Sequence, residues 1–176
     1  MKNFLLSVFM FSFLLSCNDK KPLNNKEINY PSHNYNYAKP DTAKLVYNET
    51  VYVPVYSDIY HHDGTKRFLL TSTVSVRNIS LKDSAYVLNA VYNDSYGKRL
   101  RTFATSPILL KPLESIEFVI EDAEDKGGAG ASFIIEWGGN EKSAKMLIQS
   151  VMIGTESQQG ISFMTNGVVI SSKEKK

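Results

Sequence analysis

Alternation of apolar and polar residues with a period of two dominates this chain from Leu45 onward. In the run Phe68–Arg77, the side chains of Phe68, Leu70, Val74 and Val76 fall on one face and those of Thr71, Thr73, Ser75 and Arg77 on the other. Alternation rich in β-branched residues predicts a half-buried strand. It recurs at Ile116, Phe118 and Ile120 against Ser115, Glu117 and Glu121, and at Phe133, Ile135 and Trp137 against Ser132 and Glu136. Tyr86–Tyr92 and Met146–Ile153 are apolar on both sides, which predicts central strands covered on two faces. Turn signals separate the runs: Asp63-Gly64, Asn78-Ile79-Ser80, Tyr96-Gly97-Lys98, Gly127-Gly128-Ala129-Gly130 and Gly138-Gly139-Asn140. Pro107 and Pro112 bracket Ile108-Leu109-Leu110, so that strand must be short or at an edge. No long window carries a helical period. We expect roughly seven to nine strands in an all-β, antiparallel two-sheet sandwich, immunoglobulin-like and without a disulfide, with a small barrel as the alternative.

The first residues follow a different rule. Lys2 precedes an apolar run, Phe4–Leu15, that ends in Leu14-Leu15-Ser16-Cys17 and gives way to Asn18-Asp19-Lys20-Lys21. At about 1.5 Å per residue such a run spans about 18 Å, short of the roughly 30 Å needed to cross a bilayer. A basic start, a short apolar core and a small residue before the cut make a secretory signal. With Cys next, the arrangement resembles a bacterial lipobox, which implies cleavage before Cys17 and lipidation of its thiol and amine. We therefore expect a signal peptide over 1–16, lipidated Cys17 with a flexible tether over 17–44, a sandwich over 45–170 and a charged tail over 171–176. The protein is expected in the bacterial cell envelope, attached to membrane through its acyl chains. Asn18 lacks the charge linked in some bacteria to inner-membrane retention, which favours the outer membrane.

Cys17 is the sole cysteine, so an internal disulfide or a Cys-rich zinc site is excluded. Ten Tyr and nine Phe supply ample core material. The net charge of +2 divides unevenly: 18–44 carries five Lys against three acids, whereas 45–176 carries 14 basic and 15 acidic residues. A near-neutral domain with scattered basic residues lacks the footprint of a nucleic-acid binder. The tether is rich in Asn, Tyr and Lys and poor in aliphatic residues, and reads as a solvated spacer.

Several segments, VYVPVYSDIYHHDGTKRFLL, STVSVRN, GGAGASFIIEW and VMIGTESQQGISF, resemble a family of bacterial envelope proteins classed only as a domain of unknown function. The similarity covers Val51–Ile170. Many members of the family are lipoproteins, and they often carry His where Asp58 stands here. The resemblance implies no activity, cofactor or catalytic residue.

Asp58, His61, His62 and Asp63 form the densest set of potential metal ligands, of a type that suits zinc or copper. On a regular strand His61 and His62 would point to opposite faces, so sharing one metal requires a turn or bulge. The glycine-rich stretch from Gly127 lacks the following helix and Lys-Ser/Thr of a phosphate loop, and reads as a flexible hairpin connection. Gly154–Gly160 mimics a nucleophile elbow, but with two residues where that turn has one on each side of Ser157. Thr155, Glu156, Ser157, Gln158 and Gln159 suit polar recognition of a partner better. Asn78-Ile79-Ser80 matches a glycosylation triplet, and Thr42 and Ser84 lie in short acid–hydroxyl–small motifs resembling bacterial O-glycosylation sites. These features favour a non-enzymatic binding or assembly module with an envelope protein or glycan partner and no cofactor. The alternative is a metal-binding protein or metal-assisted enzyme built on the His61/His62 region.

Overall fold

A computed structural model describes residues 34–41, 45–140, 144–155 and 160–175. Twelve strands and no helix occur among these residues: β1 (Tyr47–Pro54), β2 (Asp58–His61), β3 (Asp63–Leu69), β4 (Thr71–Asn78), β5 (Ala85–Asn93), β6 (Arg99–Ala104), β7 (Ile108–Leu110), β8 (Ser115–Ile120), β9 (Ser132–Gly139), β10 (Met146–Gly154), β11 (Ile161–Asn166) and β12 (Val168–Glu174). All pairings are antiparallel. The larger sheet runs β12-β1-β9-β5-β6, with β7 on the other half of the β5 edge; the smaller runs β11-β10-β4-β8. The expected antiparallel sandwich without a disulfide is what forms.

The alternating residues do what their period demands. Val51, Val53, Val87, Phe133, Ile135 and Trp137 from the larger sheet meet Val74, Val76, Ile116, Phe118, Ile120 and Ile148 from the smaller in one core. Phe118 and Phe133 stack with centroids 6.1 Å apart, and Phe103 packs on both. Each large apolar side chain buried there contributes about 1.5–3 kcal/mol. Two hydroxyls tie the sheets together across this interior. The Ser150 hydroxyl on β10 donates to the Pro54 carbonyl on β1 at 2.8 Å, tying one sheet to the other. Thr165 donates to the same carbonyl.

The two lateral edges of the sandwich are closed differently. On one side Tyr35 donates from its hydroxyl to the Glu117 carbonyl of β8, while the Asn36 carbonyl accepts from the Leu109 amide of β7. Arg101 of β6 adds a bond to the Val119 carbonyl of β8. On the other side β11 passes from the smaller sheet to β12 in the larger through Gly167 alone. Its amide donates to the Ile148 carbonyl at 2.8 Å. A Cβ at this position would lie 2.7 Å from a Val51 methyl and 3.0 Å from that carbonyl, so only glycine fits the seam.

Several expectations change. The folded unit begins at Tyr35, so the end of the supposed spacer docks on β7, where Tyr37 bridges Ile108. The supposed tail from Ser171 continues β12 through Glu174, because β1 offers it a ladder. The run Phe68–Arg77 breaks at Leu70, whose amide turns to the Ser57 carbonyl, so Phe68 lies in the separate β2–β3 ribbon and is half-buried. The ribbon turns at His62 rather than at Asp63-Gly64. β10 is central in its sheet, but among the described residues its outer face is uncovered at Val151 and Ile153, which are exposed. The stretch from Gly127 is a crossover between sheets, not a hairpin, since β8 and β9 belong to different sheets.

Candidate functional site

The β2–β3 ribbon carries the metal-like residues. A register shift at Tyr60/His61 and a left-handed His62 (φ 61°) supply both a bulge and a turn. They bring the two imidazole rings to 4.9 Å, tilted by 54°. Asp58 does not join them. It is fully buried and held by Arg67, whose Nε donates to Oδ1 at 2.8 Å while Nη2 sits 2.5 Å from Oδ2 as an ion pair. This bond raises the Arg67 pKa, and the guanidinium also lies 5.6 Å from the Tyr60 ring. Asp63 is engaged within its turn, accepting from the Thr65 hydroxyl at 2.6 Å and amide at 2.9 Å; those bonds lower its pKa. Among the described residues no three metal-suited side chains are gathered in one place. The proposed four-residue set is thereby reduced: Asp58 belongs to a buried ion pair.

The crossover from β8 to β9 is pinned at two points. Gly128, in the left-handed region (φ 80°), donates from its amide to the Ser57 hydroxyl at 2.7 Å. The Ser95 hydroxyl donates to the Gly127 carbonyl at 3.0 Å and accepts from the Gly130 amide at 2.8 Å. The expected flexibility is replaced by serine anchors that sit far away in sequence. At another position Trp137 donates from its indole to Glu49 at 3.0 Å, and Tyr47 donates to the second oxygen of the same carboxylate. That bond, with burial behind it, pushes the Tyr47 pKa up to about 12.

Residues 48–170 match the pattern of the DUF3124 family, described as a protein of unknown function. The chain belongs to the DUF3124 family. The expected similarity to a family of unknown function is therefore correct. No curated protein matches the chain. Among solved structures, that of Thermotoga maritima 1070 is similar at 12% identity, covering 68% of this chain and 92% of that one, with a TM-score of 0.39.

In this DUF3124 protein the folded unit extends beyond the matched span at both ends, through Tyr35 and Glu174. Cys17, Thr42, Glu156, Ser157, Gln158 and Gln159 lie outside the described residues. Thr155 and Gly160, which flank that loop, are exposed, whereas Gly154 is buried against Phe68 and Leu70. Ser84 is half-buried. Asn78 is buried with its amide nitrogen on the carbonyls of Asp83, Leu110 and Lys111, so its triplet serves the fold.

A group of exposed apolar residues on β10, β11 and β12 of the DUF3124 domain escaped the sequence reading. Val168, Val169 and Ile170 of β12, Ile161 and Met164 of β11, and Val151 and Ile153 of β10 are 38–58% exposed. Met164 lies directly across from Val151. Every residue of β12 is exposed, and among the described residues β12 is the end strand of the larger sheet, laddered to β1. The signal was present as Val168-Val169-Ile170, which reads as core, whereas all three residues are exposed on a strand at the end of its sheet.

Proposed function

We propose that this DUF3124 protein is a lipid-anchored component of the bacterial cell envelope, a non-enzymatic binding or assembly module that engages a protein partner along its β11–β12 edge. The observation that carries the reading is the set of exposed apolar side chains on β10, β11 and β12. Neighbouring exposed apolar side chains, such as Val151 and Met164 across from it, mark interaction sites, and an edge strand such as β12 offers backbone groups to a partner strand. The anchor rests on the lipobox-like Leu14–Cys17. Near-neutral charge over 45–176 argues against nucleic acid.

The test is site-specific photo-crosslinking in intact cells, with the probe at position 164 or 169 and a control at Tyr96, which is 95% exposed. A discrete crosslinked species is expected from 164 and 169 only, lost when Val168→Lys is added, with circular dichroism unchanged. Identical patterns from all three positions defeat the edge assignment. In the same cells Cys17→Ser should move the protein out of the membrane fraction; retention there defeats the anchor.

A second reading, metal handling by the ribbon, draws on the 4.9 Å spacing of the His61 and His62 rings. It requires stoichiometric zinc or copper in purified protein, lost in His61→Ala and His62→Ala. With only a two-histidine pair in place, we expect substoichiometric metal that either substitution leaves unchanged.

A further inference from the structure

We infer that the cavity between the Tyr37–Pro40 segment and the outer face of the larger sheet binds a fatty acid, with the acyl chain on its apolar walls and the carboxylate beside Lys39. The inference rests neither on the β11–β12 edge nor on the anchor at Cys17. The cavity measures about 560 Å³, within the range of small-ligand sites. Tyr37, Pro40, Leu45, Leu88 and Pro107 supply its apolar lining. Pro40 and Leu45 are themselves buried, so these walls belong to the fold.

Two irregularities of the sheet shape the floor. The register of β5 on β9 passes from Val87↔Trp137 to Asn89↔Glu136, which leaves Leu88 as an extra residue without a partner on β9. Val87 and Ala90 both enter the core, so this bulge turns Leu88 and Asn89 together to the outer face. Leu88 thereby joins the cavity lining. The second irregularity is Gly138, which lies across from Asn48 of β1. A Cβ at Gly138 would clash with Asn48 Oδ1, so the missing side chain lets Asn48 settle against β9 at the cavity floor.

Backbone bonds hold the walls in place. The Ala38 amide donates to the Pro107 carbonyl at 3.1 Å and the Leu109 amide to the Asn36 carbonyl at 2.8 Å, which fixes this segment along β7. The Lys175 amide donates to the Val46 carbonyl at 2.9 Å. A ligand therefore meets a cavity that it need not order, which limits the entropic cost of binding.

Charge selects the class of ligand. The charged side chains that line the cavity are Lys39 and Lys175, and among the described residues no acidic side chain lines it. Apolar walls beside lysines match an amphiphile with an acyl chain and an anionic end. A neutral alcohol of the same length satisfies only the walls, and a hydrophilic anion only the lysines. The volume takes one chain, hence a fatty acid rather than a two-chain phospholipid.

The test is photo-crosslinking of the full-length protein with palmitate that carries a diazirine, followed by peptide mapping, with the matching diazirine hexadecanol as a second probe. Saturable labelling is expected on the peptides that contain Tyr37–Pro40 and Leu88, displaced by unlabelled palmitate. Leu88→Arg puts a charge on the apolar wall and should weaken capture of both probes by about tenfold or more. Its melting by circular dichroism should be unchanged, because Leu88 faces outward and is only half-buried. Lys39→Glu should weaken capture of palmitate by about threefold or more and leave that of hexadecanol unchanged, the modest size being that of an exposed charge pair. Lys39 is exposed, so this variant decides the matter even if Leu88→Arg fails to fold. Labelling spread over the whole chain, or not displaced by palmitate, overturns the inference. So does a folded Leu88→Arg or Lys39→Glu protein that captures palmitate as the wild type does. Displacement of the probe by phosphatidylglycerol more readily than by palmitate overturns the assignment to a fatty acid.

Discussion

Trp137→Ala is expected to lower the stability of the folded domain by about 3–5 kcal/mol, the usual range for truncating a large aromatic side chain in a packed core. Trp137 is 1% exposed, on the inner face of β9 between β1 and β5, and its ring lies 5.7 Å from that of Tyr47. Truncation opens a cavity there and also deprives Glu49 of its indole donor. A domain of this size has only about 5–15 kcal/mol in total, so the loss should appear as a melting temperature lower by about 10 °C or more. Circular dichroism is the measurement, because the substitution removes the single Trp and with it the fluorescence signal. Trp137→Phe separates the two effects: it keeps most of the packing and loses only the hydrogen bond, about 1 kcal/mol. A Trp137→Ala protein that melts with the wild type would contradict the core described above.

The second large effect is expected at the ribbon. Arg67→Ala removes the cation that balances fully buried Asp58. Breaking a buried pair in this one-sided way costs about 3–5 kcal/mol, because the surviving charge is left in a poor environment. Arg67 is 44% exposed, so water and screening reduce its share, and we expect about 3 kcal/mol. Denaturant unfolding checks the value. Pairing Arg67→Met with Asp58→Leu should recover much of it, since an apolar pair of similar volume avoids the desolvation cost altogether. If Arg67→Ala proved neutral, Asp58 would be available for other chemistry and the metal reading of the ribbon would gain ground.

Asp58 shows where sequence reasoning stopped and why. Beside His61, His62 and Asp63 it reads as a ligand, because its partner Arg67 is separated from it by a turn whose position the sequence did not reveal. The turn falls at His62, where a left-handed backbone and a register shift align Arg67 opposite Tyr60 and next to Asp58. Tyr92 is similar. Its place in an apolar-rich run predicts burial, but whether its hydroxyl is bonded depends on loops contributed by Ser57, Gly127 and Glu124.

What the sequence determined by itself was the local order. A period of two, β-branched residues and punctuating Gly, Pro and Asn dictated strands in antiparallel pairs. They also put Leu70, Val74, Val76, Ile116, Phe118, Ile120, Phe133, Ile135 and Trp137 in the core, since alternation alone assigns residues to a face. The tertiary structure decided which faces and edges are covered. Val151 and Ile153 have the same apolar character as Ile148, yet they are exposed, because among the described residues no layer packs on the outer side of β10. Tyr35 and Tyr37 look like spacer residues but lie on the domain because β7 offers them an edge. Coverage is a property of pairs of elements distant along the chain. It is set by strand order and crossovers, and the sequence of one strand carries no record of what lies against it.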